Sequence, residues 1–216
     1  MIDTTGPAIA RKPATAQRSP RKVSPETVLA LSSRDPRRAL ALARREFARG
    51  GAVDPVERGR LIRAYAHALR AVGEYRAARA AYRHARRLLG AAGADLEHAI
   101  CALGLVDACM YLGRYREAFA VAAEARKAFA RHHDTTRLAK LETNLGNLQH
   151  RLEALEPALA HYENAARLFA ERGGSPLELA SVDHNRANVL IHMDGVTNPR
   201  RCSCARAMRS RPRASR

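Results

Sequence analysis

Residues Tyr111 to Ala118 read Tyr-Leu-Gly-Arg-Tyr-Arg-Glu-Ala. A helix end, a glycine turn and a helix start fit within this stretch. Glycine suits the residue just past a helix end, where the backbone turns left-handed and a Cβ would be penalised. A companion stretch, Val72 to Ala78, reads Val-Gly-Glu-Tyr-Arg-Ala-Ala. The interval from Gly73 to Gly113 equals that from Tyr75 to Tyr115. The small Ala78 and Ala118 let the second helix lie close against the first. The unit is a helical hairpin, and it recurs.

Two more copies follow at nearly the same period. Ala158, Tyr162 and Ala165 repeat Ala78, Tyr82 and Ala85 two periods later. Asn144-Leu145-Gly146-Asn147-Leu148 is echoed one period on, with one extra residue between, by Asn185-Arg186-Ala187-Asn188-Val189. A period of about 40 residues predicts stacked helix pairs. On these residues the chain resembles the tetratricopeptide-repeat family. The family's small residue, Gly-x-Tyr turn, alanine and aromatic are present as Ala66, Gly73, Tyr75, Ala78, Tyr82 and Ala85. The period is longer than the usual repeat of about 34, and resembles the long-helix variety of kinesin light chains and many bacterial scaffold or sensor proteins. The resemblance covers roughly residues 55–196. It implies an all-α, right-handed solenoid of antiparallel helix pairs. Three positions depart from the pattern. Glu153 and Asp194 stand where turn glycines belong, and Ala122 replaces the large residue of the second copy's B helix.

A chain of 216 residues can bury one substantial core or form a short solenoid. Trp is absent and aromatics make up 5%, so helix contacts must rest on Ala, Leu and a few Tyr. No apolar run reaches the ~18 residues a membrane helix needs, and the N-terminus lacks the apolar core of a secretory signal. The expectation is a cytoplasmic protein without a membrane partner. The net charge is +17, of which residues 1–22 carry +4 and residues 197–216 carry +7, leaving +6 on residues 23–196. The repeat body is therefore only mildly basic, which argues against nucleic acid as its main partner. Lys occurs only at positions 12, 22, 127 and 140. Abundant Arg and Ala point to a GC-rich genome more than to phosphate contacts. Cys101 and Cys109 fall on one predicted helix and read as small buried apolar residues. Cys202 and Cys204 sit in the arginine-rich tail, and the four together do not make a disulfide framework.

Along the chain, residues 1–22 read as a disordered basic arm, rich in Pro, Ala, Ser, Thr and Arg. Residues 23–54 read as a degenerate leading half-repeat. Its first helix starts at Ser24-Pro25 and ends near Ser32, and its second runs from Pro36 to about Arg49 with Leu40, Ala43 and Phe47 at helical spacing. The repeats of residues 55–196 place helices near 55–72, 75–90, 95–112, 115–131, 135–152, 155–172 and 176–193. A fourth B helix is not visible: Pro199, Ser203 and Arg206 occupy its small and apolar positions. Residues 197–216 read as a basic unstructured tail. A truncation or frame-shifted reading of a longer protein is one account of it, and a disordered basic tail is the other.

No Gly-x-Ser-x-Gly, phosphate-loop or His-Glu-x-x-His pattern is present, so neither an enzyme nor a cofactor is expected. His132-His133-Asp134 reads as a helix C-terminus followed by the next N-cap. His184 and His192 are two turns apart, about 12 Å, too far to share a metal. By the family resemblance, the A helices line a concave groove that holds an extended peptide. The repeat register then nominates Arg63, His67 and Arg70 from the first copy, and Asp107 and Tyr111 from the second. The third supplies Asn144, Asn147 and Arg151, and the fourth His184, Asn185, Asn188 and His192. Asparagine is a mediocre helix former, so its paired use needs a reason. Its amide donates and accepts at once, which suits a peptide backbone. Equally, it can bond a neighbouring helix and fix the stacking; both readings stay open. Arg63, Arg70 and Arg151 favour an acidic segment or a free C-terminus, or form a solvated face. Asp107 interrupts the positive series. The implied partner is a protein or peptide ligand, or an effector domain of a longer chain. The alternative is nucleic-acid association through the arginine-rich tails, with steep salt dependence.

Overall fold

The computed structural model describes residues 23–50, 54–171 and 173–197. Among them are nine helices and no strand: α1 Pro25–Ser32, α2 Pro36–Ala48, α3 Pro55–Ala71, α4 Tyr75–Ala91, α5 Asp95–Tyr111, α6 Tyr115–Arg131, α7 Thr135–Arg151, α8 Leu155–Glu171 and α9 Pro176–Thr197. Sequential helices pack antiparallel, and alternate helices α3, α5, α7 and α9 stack on one side. The result is an all-α solenoid. The predicted arm of residues 1–22, Gly51, and the tail beyond Thr197 with Cys202 and Cys204 lie outside the described residues.

The local logic is a repeated stop and start. Helices α3 to α8 are each 17 residues long. Turn residues Gly73, Gly93, Gly113, His133, Glu153 and Gly173 all have positive φ, between +51° and +87°. They recur at one constant interval, half the period of the helix pair, so both halves of each pair repeat the same backbone. At every one, two hydrogen bonds close the helix end: at the third turn, Arg114 N–H donates to Cys109 C=O and Gly113 N–H to Met110 C=O. Glu153, a departure from the sequence pattern, takes the left-handed conformation that glycine would, as does His133. Each non-glycine residue there costs about 1–2 kcal/mol, which the packing on both sides must offset. Ser24, Asp35, Asp54 and Asp134 cap the helices that follow them through side-chain acceptors.

Packing follows the small residues. Ala39, Ala78, Ala118 and Ala158 are all fully buried, and each lies at the equivalent place on an even-numbered helix. Tyr82 and Tyr162 are 1% exposed. The Tyr82 hydroxyl lies over Gly104 of α5, where a Cβ would sit 2.1 Å from it. The Tyr162 ring lies over Gly146 of α7 in the same way, at 2.6 Å. Ion pairs join equivalent helices of successive pairs: Arg63 of α3 to Glu97 of α5, Arg79 of α4 to Glu117 of α6, and Lys140 of α7 to Glu178 of α9. No helix among the described residues is long and apolar enough to cross a membrane.

One boundary needs correction. The repeat pattern ends the last helix near residue 193, with Asp194 at a turn. Instead α9 continues through Asp194 to Thr197. The sequence supplies no B-helix pattern after it that would require a turn there, and Pro199 is the first residue that cannot continue a helix.

Candidate functional site

The odd-numbered helices, together with Leu29 of α1, border a groove of about 920 Å³. Its two ends carry Leu29, 37% exposed, and Leu177 at the start of α9, 79% exposed. Ile100 and Leu103 of α5 lie between them. Of the residues nominated from sequence, Arg63, His67, Arg70 and Asn144 line this groove.

The groove cations are each paired. Arg63 Nη1 donates to Glu97 at 2.6 Å, and Arg70 pairs with Asp107. Arg137 pairs with Asp134, and Lys140 Nζ lies 2.9 Å from Glu178. Asp107 is thus the counter-charge of Arg70. His67 Nε2 lies 3.5 Å from Arg70, and His67 Nδ1 lies 3.5 Å from the Tyr82 hydroxyl. Burial, then the charges of Arg70 and Arg63, hold the His67 imidazole down at about 4, so it is neutral at physiological pH.

The asparagines bond neighbouring helices. Asn144 Nδ2 donates to Leu103 C=O of α5 at 3.0 Å. Asn147 Oδ1 accepts from the Tyr162 hydroxyl at 2.7 Å and from Asn185 Nδ2 of α9 at 3.2 Å. Asn188 Nδ2 lies 3.1 Å from His184 Nε2 on the same helix, and both are exposed. At Asn144, Asn147 and Asn185 these contacts are the stacking kind.

Tyr111, Arg151 and His192 lie off the groove, at the turn end of the odd-numbered helices. Tyr111 stacks on Tyr75 with ring centroids 4.3 Å apart and planes 10° apart. The Arg151 guanidinium carbon is 5.6 Å from the Tyr111 centroid, a cation–π distance. His192 and His150 have ring centroids 5.7 Å apart, and burial and His192 lower the pKa of His150.

The groove leucines and Ile100 were missed by sequence reasoning. A signal existed at Ile100 alone: the register puts it opposite Arg60 and Lys140, whereas Leu177 stands opposite Val56 and Leu96 as well as Thr136. An apolar residue where other copies are polar marks a surface with a use. Cys101 and Cys109 are buried, with thiols pushed up to about 12 and about 11 by burial, so they are protonated and unreactive. Among the described residues, no three metal-ligating side chains converge.

These features define a helical-repeat protein. No family model matches the chain, and no curated protein matches it. Among solved structures it is similar to BtubC (BKLC) from P. vanneervenii, with a TM-score of 0.65 and 20% identity over 88% of this chain and 83% of that one. At that identity the likeness concerns the fold.

Proposed function

We propose that this chain is a non-catalytic interaction module of the tetratricopeptide kind, acting in the cytoplasm. Its concave groove holds a segment of a partner protein, or of an effector domain in a longer chain. The observation that carries this reading is the groove of about 920 Å³ across four stacked odd-numbered helices, with leucines at both ends open to solvent. Isolated exposed leucines are ordinary, but leucines converging on one concave site favour binding. Ion pairs and the Asn147–Asn185 bond tie successive pairs together along the walls.

The test compares the full chain with Leu177→Asp and with a chain lacking residues 1–22 and 197–216, each used to capture partners from cell extract. A protein retained by the full and shortened chains but released by Leu177→Asp supports groove binding. Retention of nucleic acid that disappears with the tails and falls steeply with salt would favour the alternative.

A further inference from the structure

The modest charge of the repeat body hides an uneven distribution. Residues 23–92 hold 15 arginines and 6 acidic side chains, a balance of +9, whereas residues 93–196 hold 11 basic and 14 acidic side chains, a balance of −3. A genome-wide bias toward arginine would load both halves alike. The excess of the first half gathers on the even-numbered helices, away from the groove. On α2, Ala39 and Ala43 are buried and Leu40 and Phe47 pack inward, while Arg37, Arg38, Arg44 and Arg45 are exposed. On α4, Ala78, Tyr82 and Ala85 are buried, while Arg76, Arg83 and Arg87 are exposed. The repeat register sets Arg37 and Arg44 of α2 beside Arg76 and Arg83 of α4. Further along the array the same positions lose this charge and then reverse it. The place of Arg76 is taken by Arg116 on α6 and Glu156 on α8, and that of Arg83 by Ala123 and then Glu163.

Among the described residues, Arg37, Arg38, Arg44, Arg45, Arg76 and Arg87 have no carboxylate partner. Arg83 lies 4.0 Å from Glu117, whose carboxylate Arg79 already holds at 2.6 Å. On the groove side, by contrast, Arg63 and Arg70 are both paired. Unpaired like charges on one face repel one another, and a polyanion laid across them removes that repulsion. What lies between the arginines narrows the ligand. Ala41, Ala48, Ala77 and Ala80 are exposed there, and no Phe, Tyr or aliphatic side chain larger than alanine is exposed on either helix. A protein partner wants aromatic or aliphatic anchors at the centre of its site. A single strand wants rings on which its bases stack, and an interfacial membrane site wants large apolar residues to insert. The backbone of a duplex asks only for cations.

We propose that the face formed by α2 and α4 binds the phosphate backbone of a nucleic-acid duplex without reading its sequence. This surface is separate from the groove and from the arginine-rich tails.

Fluorescence anisotropy with short labelled DNA and RNA duplexes of arbitrary sequence tests this on the full chain. Two variants of equal charge are compared. One carries Arg37→Gln, Arg44→Gln, Arg76→Gln and Arg87→Gln, and the other carries Arg206→Gln, Arg209→Gln, Arg211→Gln and Arg213→Gln in the tail. The face variant should bind about tenfold or more weakly, and its slope of log affinity against log salt should shrink by about 3–4, since each lost phosphate contact removes about 0.9. The tail variant should change both by less. Binding of either duplex in this pattern supports the proposal, and the tighter one names the source. The substituted arginines of the face are exposed and unpaired, so circular-dichroism melts should match the parent; if the fourfold variant melts early, Arg44→Gln with Arg87→Gln alone should still shrink the slope by about 2. No binding of either duplex, equal losses in the two variants, or a single strand bound as tightly as the duplex would overturn the proposal. Phosphatidylserine vesicles released by the face variant would assign the face to a membrane, and a dimer dissolved by it would assign the face to the acidic α8 of a second copy; either result overturns the duplex. None of these outcomes bears on the groove reading.

Discussion

Gly104→Ala tests the packing register directly, because two effects of opposite sign meet there. Within helix α5, alanine is favoured over glycine by about 1 kcal/mol. Against that, the new Cβ would sit 2.1 Å from the Tyr82 hydroxyl oxygen and 2.2 Å from its ring carbon Cζ. Ordinary contacts between such atoms lie at about 3.5 Å, so the ring must retreat by roughly 1 Å or more. Tyr82 is 1% exposed, so apart from the groove that it and Gly104 both line, a shift of its ring must displace packed neighbours. Overpacking of this kind costs typically about 1–3 kcal/mol and sometimes more, and so severe an overlap belongs at the upper end. The net loss is about 2 kcal/mol, which in a domain of this size lowers Tm by about 4–8 °C. Thermal melts followed by far-UV circular dichroism measure it. In a Tyr82→Leu background the obstacle is gone, so Gly104→Ala should raise Tm through helix propensity alone. A rise of the same size in both backgrounds would refute the packing assigned to Tyr82.

Asn147→Ala removes the acceptor of the Tyr162 hydroxyl and the link to Asn185, and should cost about 1–3 kcal/mol in melts. Asn188→Ala touches only an exposed bond within α9 and should stay within about 0.5 kcal/mol; equal losses at both would sink the stacking role. His67 has a folded pKa of about 4 against 6.5 when unfolded, so the unfolded chain takes up the proton first as pH falls. Its contribution is therefore present above about 6.5 and lost toward about 4. His67→Gln should flatten the decline in denaturant midpoint between about pH 7 and about pH 5, and an unchanged slope would remove His67 as its source. Hydrogen exchange should be faster in α9 than in α4 to α8, because among the described residues α9 packs on one side only; protection equal to the central helices would mean that something further covers it.

Helix positions were legible because Gly73 and Gly113 advertise their turns. His133 and Glu153 hide the same backbone conformation behind ordinary side chains, and the third pair was found through its alanine and tyrosine spacing instead. The half-period of the backbone was not legible. A and B helices share a backbone cycle but present different faces, so their side chains do not repeat at that interval. Of the groove lining, Arg63, His67, Arg70 and Asn144 were legible through register alone. Their charge state was not. Arg63 meets Glu97 and Arg70 meets Asp107 only once the stacking angle of α3 on α5 is set, and no local pattern encodes that angle. Leu29 was invisible for a similar reason, since it reaches the groove from a helix outside the repeat register.

The even backbone cycle creates a hazard that the side chains remove. A chain whose turns recur at a constant interval could close upon itself one pair out of step with no change in backbone geometry. Such a slip would set Tyr82 against Asn144 where it now meets the bare Cα of Gly104, and Arg70 against the neutral Asn147 where it now meets Asp107. Each mismatch replaces a fitted contact by a steric overlap or an uncompensated charge. The irregular residues of this array therefore act as an address code, telling each hairpin which neighbour is its own and denying exchange with the wrong hairpin of another molecule.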